Sequence, residues 1–243
     1  MIGLNYKINN TWKLKTFCYI FARGGSKGLP KKNIKPLLNK PLISYSIDIA
    51  KEISEIDKLF VSTDSAEIAN ISESKGAIII NRPKEISGDN SPEWLAWKHA
   101  INWTYDNYGT FTKFLSLPST SPLRSKNDVI KCLNSFKSEK DVIITMTESS
   151  RNPWFNMVKM NGNKSIDLVL KSKNKISRRQ DAPTVFDLTT VAYVLNPNFI
   201  LNYNSIWDGK VKGVFIPKKR AIDIDDEFDF KIAEMIMGDK NNG

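Results

Sequence analysis

The sequence predicts an α/β fold in which a mostly parallel central sheet is flanked by helices, and two observations lead there. Short apolar runs rich in β-branched and aromatic residues alternate with stretches of helical periodicity, the pattern of βα units. Polar and glycine-rich clusters follow the apolar runs, at the strand ends where open α/β sheets bind ligands. At 243 residues, 41% apolar and 26% charged, the chain can bury one large core, so one main domain is expected.

The first strand is "FCYIFA", Phe17 to Ala22, which runs into a loop carrying Gly24, Gly25 and Gly28. "PLISYSIDIAKEI" is the first crossover helix, because Pro41 suits a first helical turn and Leu42, Tyr45, Ile49 and Ile53 fall near helical spacing. "KLFVSTD", Lys58 to Asp64, is a strand ending in polar residues; Asp64 or Ser65 caps the helix after it and Gly76 closes that helix. "AIIIN" is a third strand, and "RPKEISGDNSP" has no period. From Pro92 a helix sets Trp94, Trp97, Ile101 and Tyr105 in one register, an aromatic stripe that reads as core packing.

"FTKFLSLP" is a fourth strand ending at "STSPLR", and "SKNDVIKCLNSF" is a helix with Ser125 as cap and Asp128 three residues on. After the strand "DVIITM" the periodicity weakens, so Ser149 to Phe186 is expected to form hairpins and loops outside the main sheet. "TTVAYVL" and "GVFIP" return to the sheet, and "AIDIDDEFDFKIAEMIM" closes the chain as a short strand running into a helix.

Composition excludes several classes of function. No apolar run approaches the roughly 20 residues that span a bilayer, so a cytoplasmic protein without a membrane partner is expected. The two cysteines, Cys18 and Cys132, make neither a disulfide framework nor a zinc motif, and the single histidine, His99, rules out mechanisms built on a histidine pair. The net charge of +10 favours anionic partners, but the lysines are scattered and no nucleic-acid-binding motif is present, so a nucleic-acid partner is not expected.

Two stretches carry the chemistry. The loop "RGGSKGLPKKN" is neither a Walker A nor a dinucleotide fingerprint. Its glycines still let backbone N–H groups approach an anion, and Arg23, Lys27 and Lys32 add charge; a mobile βα turn would have the same composition. In "IDID" a strand would turn Asp223 and Asp225 to one side and Ile222 and Ile224 to the core. Paired carboxylates repel one another but suit a hard divalent cation, while Asp225 or Asp226 would equally serve as a helix cap.

The ordered series "ARGGSKGLPKKNIKPL", "KPLISYSI", "VSTDS", "RP", "TSPLR", "RRQDAP" and "IDIDDEFDFKIAE" resembles the acylneuraminate cytidylyltransferases, the CMP-sialic acid synthetase family. The resemblance spans about Phe17 to Met237. It implies a Rossmann-like nucleotidyltransferase fold with a protruding dimerisation subdomain at 149–186. The cytidylyltransferase domain is expected over 16–238, with an extension at 1–15 and a tail at 239–243. It implies transfer of CMP from CTP to the anomeric hydroxyl of a 2-keto-3-deoxy acid sugar, with Mg²⁺ as cofactor, pyrophosphate as product and a homodimer as the working form.

Carried over by motif, Ala22, Arg23, Ser26, Lys27, Lys32 and Asn33 bind the nucleotide and its phosphates, and Arg82 lies against the cytosine. Arg23, Lys27, Asp223 and Asp225 act at the reacting phosphorus, with the two aspartates holding the metal. Ser119, Thr120, Arg178, Arg179 and Gln180 face the acid sugar, with the two arginines reaching it across a dimer interface. Two departures fall on the sugar side: Pro118 stands where the family reads glutamine, and "TTVAY" replaces Asn-Gly-Ala-Ile-Tyr. Because proline cannot supply the glutamine's hydrogen bonds, a sugar other than ordinary N-acetylneuraminate is expected. The alternatives are an enzyme for another sugar or base, such as 3-deoxy-manno-octulosonate, and a non-catalytic nucleotide- or glycan-binding relative.

Overall fold

The computed structural model describes residues 15–162, 164–172 and 176–241. The expected extension at 1–15 lies outside these residues apart from Lys15, as do the last two residues of the tail.

Strand β1 (Thr16–Phe21) leads through a loop to the small ribbon β2 (Pro36–Leu37) and β3 (Lys40–Pro41), then to helix α1 (Leu42–Lys51). There follow β4 (Ile56–Thr63), α2 (Ala66–Ser74), β5 (Ile78–Asn81), α3 (Glu93–Tyr108), β6 (Lys113–Ser116), α4 (Lys126–Ser135) and β7 (Asp141–Glu148). The hairpin β8 (Val158–Met160) and β9 (Ile166–Leu168) precedes β10 (Phe186–Leu195), α5 (Pro197–Asn202), β11 (Lys210–Phe215) and α6 (Glu227–Asn241).

Among the described residues seven strands form the main sheet, in the order β11-β7-β10-β6-β1-β4-β5. Only β10 runs antiparallel to its neighbours β6 and β7; all other pairs are parallel. This is the mostly parallel α/β sheet expected. A parallel strand covered on both faces reads as a continuous apolar run, and β1 illustrates why. Phe17 and Tyr19 point into an aromatic layer with Phe60, Trp97, Phe114 and Phe199, beneath α3 and α5. Cys18 and Ile20 point the other way, against Ile43 and Ile47 of α1 and Val129 and Cys132 of α4. Both cysteines are free and buried, and burial pushes the Cys132 thiol up to about 12.

Local signals set the helix ends. Ser65 caps α2 by accepting from the Ile68 N–H, and Gly76 closes it at φ 85°. Ser125 and Asp128 form a reciprocal capping box on α4. Two elements, the β2/β3 ribbon and the short α5, carried no periodicity long enough to announce them.

One expectation is overturned. Residues 221–226 are not a strand. Among the described residues their backbone pairs with no strand; the Ile224 N–H donates to the Thr120 carbonyl at 2.8 Å, in the turn after β6, and the Asp223 side chain is hydrogen-bonded to Thr120 and Thr190. The alternation persists without a ladder, because Ile222 and Ile224 pack against Leu29, Leu37, Leu42, Leu123 and Phe230. That small core clamps α6 over the loop that follows β1.

Candidate functional site

A cleft of about 320 Å³ opens where the loops after β1, β5 and β6 meet. Arg23, Gly25, Ser26, Lys32 and Asn33 line it from the first loop, Arg82 and the stretch around Asp89 from the second, and Pro118, Ser119 and Thr120 from the third. Thr190 and Tyr193 reach it from β10, whose pairing with β7 shifts register between Thr189 and Val194.

The glycine loop is built, not slack. The Gly24 N–H donates to Asp64 Oδ1 at 2.8 Å, and Asn33 Nδ2 donates to the Arg23 carbonyl at 2.9 Å. Ser119 donates to Asn33 Oδ1 at 2.5 Å, which ties the first loop to the third. Gly28 is required by close approach: a Cβ there would lie 2.4 Å from the Asp225 carbonyl oxygen. Ala22 is buried just behind the loop and presents only backbone. Arg23 Nη1 and Lys27 Nζ both pair with Asp89, at 2.7 and 2.9 Å. Lys27 and Arg23 hold the exposed Asp89 carboxyl below the usual carboxylate range.

At the far end, Lys32 Nζ donates to the Ile224 carbonyl at 2.6 Å and lies 3.4 Å from Asp225 Oδ1, which brings the "IDID" segment to the cleft. Asp225 is exposed, whereas Asp223 is half-buried with Oδ1 lacking a hydrogen-bond partner among the described residues. Burial pushes the Asp223 carboxyl above the ordinary range; the Thr120 and Thr190 hydroxyls and Lys32 oppose the rise, and Asp225 adds to it. A buried oxygen with no protein partner, beside a second carboxylate, is a donor set that suits a hard cation completed by phosphate oxygens and water. Among the described residues no group of three or more His, Cys, Asp or Glu could hold a metal by itself. Asp226 caps α6, accepting from the Phe228 and Asp229 N–H groups at 2.8 and 3.0 Å.

Arg82 is buried. Its Nη2 donates to the Ser62 carbonyl at 2.7 Å and its guanidinium lies 5.7 Å over the Phe21 ring. Arg124 of "TSPLR" does not face the cleft's interior; buried at 4% exposure, it grips the Val191 and Pro118 carbonyls and the Ser46 hydroxyl. Burial pushes Arg124 down to about 10. It is a clamp on the turn that presents Ser119 and Thr120.

Arg178, Arg179 and Gln180 stand apart from this cleft in the same chain. Arg178 pairs with Asp181 at 2.8 Å, Arg179 donates to the Ser149 carbonyl at 2.6 Å, and Arg179 and Gln180 line a second depression with Glu148, Arg151 and Asn152. Sequence reasoning missed Asp89 and Glu93 as cleft residues, whereas Thr190 and Tyr193 belong to the "TTVAY" stretch set on the sugar side. The segment holding Asp89 had no period to place it, and Glu93 opens a helix whose aromatic stripe read as core.

The cytidylyltransferase family model matches residues 17–102. The chain is 34% identical over 229 residues to the CMP-N,N'-diacetyllegionaminic acid synthase of Campylobacter jejuni, covering 92% of this chain and 95% of that protein. It is 28% identical over 235 residues to the N-acylneuraminate cytidylyltransferase of Escherichia coli, covering 94% of this chain and 54% of that protein. Among solved structures, a CMP:2-keto-3-deoxy-manno-octonic acid synthetase complexed with CTP superposes with a TM-score of 0.68 at 14% identity, over 93% of this chain and 99% of that one. At that identity the likeness is one of fold.

Proposed function

This chain belongs to the acylneuraminate cytidylyltransferase family, and on that premise we propose that it transfers CMP from CTP to the anomeric hydroxyl of a sialic-acid-like acid sugar. Pyrophosphate leaves, and the product serves surface-glycan synthesis. The observation that carries the reading is that the cationic glycine loop lines the cleft while Lys32, Thr120 and Thr190 of the same lining hold the Asp223/Asp225 segment beside it.

In this reading Arg23, Ser26, Lys27, Lys32 and Asn33 bind the triphosphate, and Asp89 is the anion that CTP displaces from Arg23 and Lys27. The anomeric hydroxyl attacks the α-phosphorus in line with the departing pyrophosphate, so the residues chiefly position groups and neutralise charge. Asp223 and Asp225 would hold Mg²⁺, which would draw off charge that builds on the phosphoryl oxygens. The unpartnered Asp223 Oδ1 supports that assignment.

Ser119 and Thr120 face the sugar, and Pro118 leaves that wall without a side-chain amide. Its identity with the legionaminate synthase favours a legionaminate-like sugar. Arg178, Arg179 and Gln180 would reach the sugar carboxylate from a second copy, because in their own chain they lie outside the cleft and a guanidinium grips a carboxylate bidentately. We place the enzyme in the cytoplasm, where its CTP is made.

Pyrophosphate release, screened over the four common nucleoside triphosphates and a panel of acid sugars with Mg²⁺, tests the proposal. CTP with a nonulosonic acid should give turnover. Asp225→Asn should lower kcat at least 100-fold while sparing CTP binding. No release from the unaltered protein with any pair would sink the proposal.

A further inference from the structure

Arg82 and Glu93 line the same cleft with opposite charges, yet among the described residues no ion pair joins them. Each is anchored by something else. Arg82 gives Nε and Nη2 to Ser62, at 3.2 and 2.7 Å, and its plane rests over Phe21. Glu93, the first residue of α3, accepts at Oε1 from the Trp97 indole N–H at 3.1 Å. That leaves Arg82 Nη1 and Glu93 Oε2 without a hydrogen-bond partner among the described residues. Glu93 is open to the cleft yet crowded by protein, and this crowding pushes its carboxyl above the usual range against the pull of Trp97 and Arg82.

A fixed donor and a fixed acceptor that face one cleft without pairing fit a ligand edge with an acceptor beside a donor. Cytosine has that edge: ring N3 and O2 accept, and the exocyclic amine donates. Uracil carries O4 where cytosine has the amine, so a carboxylate there would meet a second acceptor and both groups would go unpaired.

We propose that Glu93 accepts the cytosine amine, beside the Arg82 that the family motif already sets against the base, and that Glu93 thereby selects CTP over UTP. The proposal rests on reading the cleft as the CTP site, and it gives base selection to a residue outside the motifs of that site.

The test is kcat/KM for CTP and for UTP, with one acid sugar, in the unaltered enzyme and in Glu93→Gln, alongside calorimetric binding of CMP and UMP. Glutamine keeps an oxygen for Trp97 and offers an N–H that uracil O4 can accept. The CTP/UTP ratio should fall roughly tenfold or more in the variant, and the CMP/UMP affinity ratio should move with it. An equal loss for both nucleotides, or an unchanged ratio, would overturn the proposal and leave Glu93 as a support for Trp97. If Glu93→Gln does not fold, Glu93→Ala carries the binding arm with the same expected narrowing. An unaltered protein that prefers CMP to UMP but turns nothing over would sink the catalytic reading and leave Glu93 to be judged by binding. One that binds neither nucleotide overturns both.

Discussion

Asp128 shows how a residue can matter to the site without entering it. Its carboxylate closes the capping box on α4 and grips Arg220, with Nε to Oδ2 at 2.7 Å and Nη2 to Oδ1 at 3.0 Å, three residues before Asp223. Burial pushes the Asp128 carboxyl up, but Arg220 and Ser125 pull harder, so it ends below the usual aspartate range. A folded-state pKa below the unfolded value adds stability at pH above the ordinary range, near 3.9, and that stability is lost as pH falls toward the depressed value. Asp128→Asn should therefore cost about 2 kcal/mol at pH 7, the lost cap included, with a gap that closes in acid. Thermal unfolding at pH 7 and pH 3 measures it; an equal gap at both would remove the charge argument. The sequence marked Asp128 as a cap partner but not as the anchor of Arg220, since the two are 92 positions apart.

At the scale of elements, the loop after β1 was legible as a glycine-rich, cationic connection, yet its glycines differ in role. A Cβ at Gly28 would collide with the Asp225 backbone, whereas one at Gly25 meets nothing within 4 Å. Gly28→Ala should lower stability by about 1–3 kcal/mol and raise the KM for CTP, while Gly25→Ala should change stability by less than about 0.5 kcal/mol. Melting temperatures of the two variants decide it, and equal losses would mean that the contact with Asp225 is unimportant. The "IDID" segment reverses the lesson. Alternation set Ile222 and Ile224 against the small core and Asp225 outward but misnamed the element, because period two belongs to any extended backbone and a strand also needs a partner with free hydrogen-bonding groups.

For the whole molecule, the hairpin β8 and β9 exposes Val158, Met160 and Ile166, at 55%, 75% and 61%. We expect a second copy to cover it. Sedimentation at micromolar protein should show a dimer, and Met160→Asp with Ile166→Asp should give a folded monomer with turnover reduced at least tenfold, by loss of the partner's arginines. A monomeric unaltered protein would remove the second copy from the sugar site. The sequence by itself determined the α/β class and most element positions, because periodicity, caps and glycines act over a few neighbouring residues. Only the tertiary structure decided that Asp89 pairs with Arg23 and Lys27 and that, among the described residues, Asp223 keeps an unpartnered oxygen and Arg82 and Glu93 face one cleft without an ion pair between them. Those relations arise where loops from separate strands converge, and no local pattern along the chain encodes which distant side chains will meet.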